Sequence, residues 1–301
     1  MTSSDKNIAI VPDVHGENFW KEVKENADSL DEIVFLGDYF DSYYGVSREE
    51  ELKNFLEIIE FKKSYPDKVT LFLGNHDVGY LLDLRCSRQA SGEMRTAIKK
   101  SFKNNLHLFK LTHCVSLGNK TYLFSHAGIT KKWLGLIKNE LDKAKTMENK
   151  EINHNKWSEI LKDIIKHIGW SKLSVLNYSK QIEVIDKVFS DEAKLKESIM
   201  QGFFNDLLQR IDEPDINQFM SWCLWTVDPI RGGYAHDHGS ILWADSSEWE
   251  GEDNYFGENF IQIVGHSRNS FGKLCDSAFC LDSMSPKVIY LNKDCDILSV
   301  V

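Results

Sequence analysis

Five short blocks of this 301-residue chain carry side chains able to bind metal ions or move protons: Asp13-Val14-His15-Gly16, Gly37-Asp38-Tyr39-Phe40-Asp41, Gly74-Asn75-His76-Asp77, Ser125-His126-Ala127-Gly128 and Gly265-His266. Each stands at the end of an apolar, strand-like run. In extended backbone the side chains at i and i+2 point the same way, so Asp13 and His15 can hold one cation together. Asp38 offers a carboxylate able to bridge two metals, Asn75 a neutral amide oxygen, and His126 and His266 imidazoles for a second ion. Two carboxylates against two divalent cations leave a centre of about +2, suited to attract a phosphate group and hold a hydroxide. The chemistry expected of such a cluster is hydrolysis of an anionic ester.

The elements that deliver these blocks can be read from periodicity. Ile8-Ala9-Ile10-Val11 and Ile33-Val34-Phe35-Leu36 read as strands buried on both faces, and Val69 to Leu73 repeats the pattern. Between them Phe19, Val23 and Ala27, then Leu52, Phe55, Leu56 and Ile59, fall at helical spacing. Alternating strands and amphipathic helices imply a mainly parallel sheet whose functional loops lie beyond the carboxyl ends of the strands. Val115-Ser116-Leu117 and Thr121-Tyr122-Leu123-Phe124 flank Gly118-Asn119 as a hairpin leading into His126. Further strands are expected at Ile261–Val264, Ala278–Leu281, Val288–Leu291 and Ile297–Val301. Trp133, Ile137 and Leu141, then Trp157, Ile160, Leu161, Ile164 and Ile168, then Leu195, Ile199, Phe203 and Leu207 are spaced as helix faces, so residues 131–220 read as a helical insertion or cap within one domain spanning 1–301.

The ordered blocks resemble those of the calcineurin-like metallophosphoesterase superfamily. That resemblance implies an α/β fold with two mixed β-sheets packed as a sandwich and flanked by helices. It implies a first metal held by Asp13, His15 and Asp38 and a second held by Asp38, Asn75, His126 and His266. It further implies that His76, oriented by Asp41, protonates the leaving oxygen. Gly265-His266 continues as Ser267-Arg268, where many superfamily members carry Gly-His-x-His; this resembles the phosphoprotein-phosphatase branch, including phage and bacterial Ser/Thr phosphatases and dinucleoside-polyphosphate hydrolases. Ser240-Ile241-Leu242-Trp243-Ala244-Asp245 is similar to a Leu-Trp segment of that branch. Two positions depart from it: Ser42 and Leu73 stand where phosphate-gripping arginines are usual. Replacement donors are sought among Arg85, Arg88, Arg95, Arg231 and Arg268, with Arg231 and Arg268 as the substrate-binding candidates.

The expected cofactors are two divalent ions, with manganese ahead of iron, zinc, nickel and magnesium. The expected partner is a phosphorylated substrate, whether phosphoprotein, nucleotide or small phosphoester. The leading expectation is a phosphomonoesterase, the alternative a nucleotide hydrolase, and the reading from another class a silent regulatory protein on the same fold. Asp77 has a plain role as a helix amino-terminal cap. His107, His113, His154 and His167 match no motif, whereas His236 and His238 form a pair near the Leu-Trp segment that suits an accessory metal or substrate contact.

Composition narrows the field. A formal charge of −10 argues against non-specific nucleic-acid binding, which depends on Lys and Arg neutralising phosphates. Residues 131–210 run against that trend, with 15 basic and 12 acidic side chains. Six cysteines without a Cys-x-x-Cys pair read as buried thiols of a reduced compartment, and with no signal-like start and no membrane-length apolar run the expected location is cytoplasmic. No Cys is followed six positions later by Arg, and no Gly-rich loop of the P-loop type occurs, which disfavours thiol phosphatases and kinases.

Overall fold

All four residues of β1 (Ile8–Val11) are apolar because the strand is buried on both faces. In the computed structural model, which describes residues 6–84, 86–148, 189, 191–209, 224–227, 229–233, 238–252 and 255–292, Ile8 and Ile10 face a second sheet, while Ala9 and Val11 face helices. The same division runs through β2 (Glu32–Phe35), where Val34 points into the sandwich and Ile33 and Phe35 point to the helical layer. A one-residue slip would exchange these sets, so the register is tightly specified.

The first sheet has the order β10-β1-β2-β3-β4, with β3 at Val69–Phe72, β4 at Phe109–Lys110 and β10 at Ile289–Leu291. β1 through β4 are parallel and β10 is antiparallel. The second has the order β5-β6-β7-β9-β8, spanning His113–Leu117, Lys120–Phe124, Phe260–Val264, Ala278–Cys280 and Gly272–Cys275 for β5, β6, β7, β9 and β8. β6, β7 and β9 are parallel, and antiparallel β5 and β8 flank them. Two mixed sheets thus pack face to face through Ile8, Ile10, Val34, Leu36 and Phe72 on one side and Val115, Tyr122, Phe124, Ile263 and Phe279 on the other. The hairpin at Gly118-Asn119 forms as expected, with Leu117 opposite Lys120 and Gly118 at φ 60°.

Helices α1 (Lys21–Glu25), α2 (Arg48–Ser64), α3 (Asn75–Leu81) and α4 (Gly92–Asn105) cover the first sheet. α1 is shorter than its spacing implied, and Ala27 lies in a separate 3₁₀ turn. α2 starts at a reciprocal Ser47–Glu50 capping box. Its buried face is Glu51, Asn54, Phe55, Ile58 and Ile59, while Leu56 is 44% exposed, which corrects the expected apolar stripe. The helix is turned because Glu51 and Asn54 point inward: Glu51 accepts from the Ser42 backbone and from Arg48, and Asn54 bonds Trp20 and the Glu17 carbonyl. β8 is an addition, since Gly-Lys-Leu-Cys carries too little apolar alternation to announce a strand. Ile297–Val301 lies outside the described residues.

Within residues 131–220, α5 (Lys131–Glu148) and helices at Glu192–Met200 and Phe203–Gln209 are present, but the expected face over 195–207 is broken at Gly202, whose φ is 95°, and beyond it Phe204 and Leu208 are buried while Phe203 is half-buried. Trp133 stacks on Phe204 at 5.3 Å, and both join the helical-layer core. Asn205 accepts from the backbone of Leu111 and Thr112 and donates to the Thr112 carbonyl, beside the edge strand β4. The Trp157–Ile168 face lies outside the described residues. No described helix is long and apolar enough to cross a membrane.

Candidate metal centre

The loops after β1 and β2 are zipped together: the His15 N–H donates to the Asp38 carbonyl at 2.7 Å, and that of Gly16 to Tyr39 at 2.9 Å. Within Asp38-Tyr39-Phe40-Asp41 the two aromatic rings anchor in a cluster with Phe55, Phe102 and Phe109, which turns both carboxylates toward the site. Across the sandwich, the Gly265 N–H donates to the His126 carbonyl, joining the loops after β6 and β7.

Backbone strain gathers where these loops meet. Six described non-glycine residues have positive φ, and four of them are His15, Asp38, Asp41 and His266. Such conformations persist only when the surroundings over-determine them, and they cluster at functional sites. Two glycines make room for the carboxylates. A Cβ on Gly74 would lie 2.1 Å from Asp38 Oδ1, and one on Gly265 would lie 2.1 Å from Asp13 Oδ1.

Asp13, His15 and Asp38 form a buried cluster in which one potential ligand atom from each lies within 4.8 Å of the others. Asp38 Oδ2 is 3.7 Å from His15 Nε2 and 3.7 Å from His126 Nε2, so one carboxylate stands between two groups of donors. Asn75 Oδ1 lies 3.0 Å from His126 Nε2 and 3.1 Å from His266 Nδ1. All six proposed ligands are therefore brought together.

The donor set fits cations on its own chemistry. The Nδ1–H groups of His15 and His126 donate to the carbonyls of Phe40 (2.7 Å) and Leu36 (2.8 Å), which leaves each Nε2 as a lone pair. Burial pushes the His126 imidazole down to about 3 and holds His15 and His266 well below the usual histidine range, so these rings stay neutral. The His126 Nε2 lone pair then faces the Asn75 amide oxygen at 3.0 Å, two acceptors with no proton between them. A cation between them turns that repulsion into coordination. His266 Nε2 is buried and has no hydrogen-bond partner among the described residues. Burial, with Asp282 adding like charge, raises the Asp13 carboxyl well above its ordinary value; burial and neighbouring Asp13 do the same to Asp38. Anionic forms of both need positive charge close by.

His76 Nδ1 lies 2.6 Å from Asp41 Oδ2, and Asp41 is fully buried. The other oxygen, Oδ1, accepts from Tyr80 Oη at 2.7 Å and from Arg48 at 3.2 Å. Asp77 departs from the expected cap in its position: the helix begins at Asn75, so Asp77 is its third residue. Its carboxylate accepts from Gly74 N and from the backbone of Asp38 and Tyr39, tying helix α3 to the Asp38 loop. Burial raises it to about 7.

Of the candidate arginines, Arg231 bonds Asp245 at 2.8 Å and Ser267 at 3.4 Å, and its charge reaches Asp13, His126 and His266. Arg268 packs over Tyr43 and bonds Tyr44. Arg95 is withdrawn from the candidates, because its donors are spent on Gln89 and the carbonyls of Gly79 and Leu84. Arg85 and His236 lie outside the described residues, while His238 bonds Glu248. Sequence reasoning missed Arg48, Tyr80, Tyr43 and Asp282. Asp282 directly follows the apolar β9–Leu281 run, the same signal that marked Asp13 and Asp38, and burial raises it to about 7.

A family model described as calcineurin-like phosphoesterase matches residues 6–282, and the chain belongs to that family. It is accordingly a metal-dependent phosphoester hydrolase with the two-sheet fold. No curated protein is significantly similar. Among solved structures, a cold-active protein tyrosine phosphatase from a psychrophilic Shewanella species is 14% identical, with a TM-score of 0.42, over 96% of this chain and 76% of that one. Another structure of a cold-active protein tyrosine phosphatase is 15% identical, with a TM-score of 0.41, over 95% of this chain and 74% of that one. Likenesses this distant carry no argument about substrate.

Proposed function

We propose that the chain is a two-metal phosphomonoesterase acting on phosphoprotein or small phosphoesters in the cytoplasm. The observation that carries the reading is Asp38 Oδ2, equally 3.7 Å from His15 Nε2 and from His126 Nε2. Asp13, His15 and Asp38 would hold one ion, and Asp38, Asn75, His126 and His266 the other, with manganese the expected metal. Bound there, divalent cations supply positive charge for the phosphate and lower the pKa of water enough to make a nucleophile at neutral pH.

The chain's own groups do the rest. In the exchange of the ester P–O bond for a bond to a water oxygen, the leaving alkoxide needs a proton, and His76 Nε2 supplies it. Asp41 orients that ring, while Tyr80 and Arg48 hold Asp41 in place. Arg231, fixed by Asp245, faces phosphate oxygens. The 131–220 insertion would select substrates as a cap. Of the described free thiols only Cys280 is buried, while Cys86, Cys114 and Cys275 are half-buried, which corrects the expectation of buried thiols.

Elemental analysis of the active protein should give close to two ions per chain. Asp38→Asn should lose one ion and most phosphatase activity, because a neutral amide cannot bridge two cations as a carboxylate does. Full hydrolysis by a rigorously metal-stripped protein would end the proposal.

A further inference from the structure

The β2–α2 loop carries Ser42, at the position where the resemblance implies an arginine, followed by Tyr43 and Tyr44, and this loop gathers arginines from elsewhere. The guanidinium of Arg88, from the segment between α3 and α4, lies 3.9 Å from the centre of the Tyr43 ring. That of Arg268, from the loop after β7, lies 4.3 Å from the same centre. Two like charges on one ring repel each other, and the ring quadrupole offsets only part of this. Neither guanidinium forms an ion pair among the described residues; Arg268 instead donates to Tyr44 Oη, which donates in turn to the Met284 carbonyl.

Arg88 is also held under backbone strain. Its φ is 61°, and its carbonyl accepts from Arg48, the residue that also donates to Asp41. Arg48 thereby ties the backbone of Arg88, whose side chain is exposed apart from the Tyr43 ring, to the support of the His76–Asp41 pair. The location is equally specific. Tyr43 meets His15 edge-on, with ring centres 4.7 Å apart. His15 is 7% exposed and Tyr43 38%, so the arginines stand outward of the ligand cluster, on its solvent side. The charge of Arg268 reaches His15, so the pair lies next to the ligand cluster.

We propose that Arg88 and Arg268, gathered on Tyr43, form an anion subsite for a second phosphate of the substrate, adjacent to the one being hydrolysed. The inference rests on the metal-centre reading above. Planar guanidiniums bind phosphate oxygens bidentately, and the pair suits a second phosphate that carries one negative charge when anhydride-linked or close to two when it is a terminal monoester. Preferred substrates are then small molecules with two phosphates. The second phosphate can be anhydride-linked, as in a nucleoside diphosphate, or ester-linked, as in a sugar bisphosphate.

The test uses the full-length, manganese-loaded protein. It compares kcat/KM for adenosine diphosphate against adenosine monophosphate, and for fructose 1,6-bisphosphate against fructose 6-phosphate, in wild type, Arg88→Gln and Arg268→Gln. Wild type should prefer the member with two phosphates in at least one pair, and the pair in which it does identifies the linkage. Each substitution should lower kcat/KM for that substrate about 10- to 100-fold, mainly through KM, as expected when a charge-assisted contact is lost. The single-phosphate partner should fall much less, with metal content equal to wild type. Tyr43→Phe, which keeps the ring, should keep the preference, and Tyr43→Leu should lose it. Equal losses within both pairs, or a selective loss confined to an acidic phosphoseryl peptide, would overturn the proposal. Absence of turnover by wild type on every ester would be a failure of the metal-centre reading. Binding at fixed free manganese then decides the subsite separately. Methylenediphosphonate held more tightly than methylphosphonate, in a manner lost with either arginine, supports it, and equal binding sinks it.

Discussion

Asp41→Asn is the most informative single change, because the structure dictates how the new amide must sit. Asp41 Oδ1 already accepts from Tyr80 Oη at 2.7 Å and Arg48 at 3.2 Å, so the amide oxygen takes that place. The amide NH₂ is then left 2.6 Å from His76 Nδ1, where it can only donate. A donor facing Nδ1 selects the neutral tautomer with its proton on Nε2 and opposes the doubly protonated imidazolium needed for proton donation. The lost charge-assisted bond is worth ~1.5–3 kcal/mol, or about 10- to 100-fold in rate. Removing the acid itself by His76→Asn should cost ~10²–10⁴-fold. Both losses should depend on the leaving group: large on alkyl or seryl phosphate, small on nitrophenyl phosphate, whose phenolate departs without a proton. The double variant should be no worse than His76→Asn alone, since the two side chains act as one unit. The assay is kcat/KM on both esters together with metal content. Equal losses on both esters with metal retained would refute proton donation by His76, and lost metal in His76→Asn would place the ring among the ligands.

Gly265→Ala should cost at least ~10²-fold in activity and release metal, because its Cβ would lie 2.1 Å from Asp13 Oδ1 and push that carboxylate out of place; a crystal structure with Asp13 unmoved would refute it. In the metal-free protein Asp77 and Asp282 should contribute stability that is lost as pH rises. Asp77 and Asp282 sit near 7 in the folded chain against an ordinary 3.8, so between those values the folded state binds more protons than the unfolded and each pH step upward favours unfolding. The buried neutral rings of His15, His126 and His266 act in the opposite direction below pH 6.5, so the test is differential: in chelator-treated protein Asp282→Asn should gain melting temperature relative to wild type between pH 5.5 and pH 8, and a difference that does not change with pH would show that this carboxyl is not raised. Replacing residues 150–188 by a short linker, while keeping Trp133, Phe204 and Asn205 in their packing, should change discrimination between large substrates and nitrophenyl phosphate. An unchanged profile in a folded, metal-loaded variant would remove the cap.

The proposed ligands could be picked out in the sequence because each follows a strand at once. Ile8-Ala9-Ile10-Val11 ends in Asp13 and His15, Ile33 to Leu36 in Asp38, and Tyr122 to Phe124 in His126, and a strand's course is set by its own residues and their period. The sandwich came from resemblance. Periodicity does not reveal that β10 would lie beside β1, or that the weakly patterned β8 would pair with β9, since sheet order depends on which edges meet. The support of the site was equally out of reach. Glu51 occupies an apolar-face position of α2 because the Ser42 backbone and Arg48 need its carboxylate, and only the assembled loops create that need. Arg48 on Asp41, Asp77 on the Asp38 backbone, and Arg88 with Arg268 on Tyr43 are likewise contacts between distant segments. By itself the sequence determined which side chains bear the chemistry and on which strand ends they stand, because those are local properties. Tertiary structure alone decided which groups hold those side chains in place and which arginines stand near them, because compensating a buried charge requires a partner in space, and the chain can supply it from anywhere along its length.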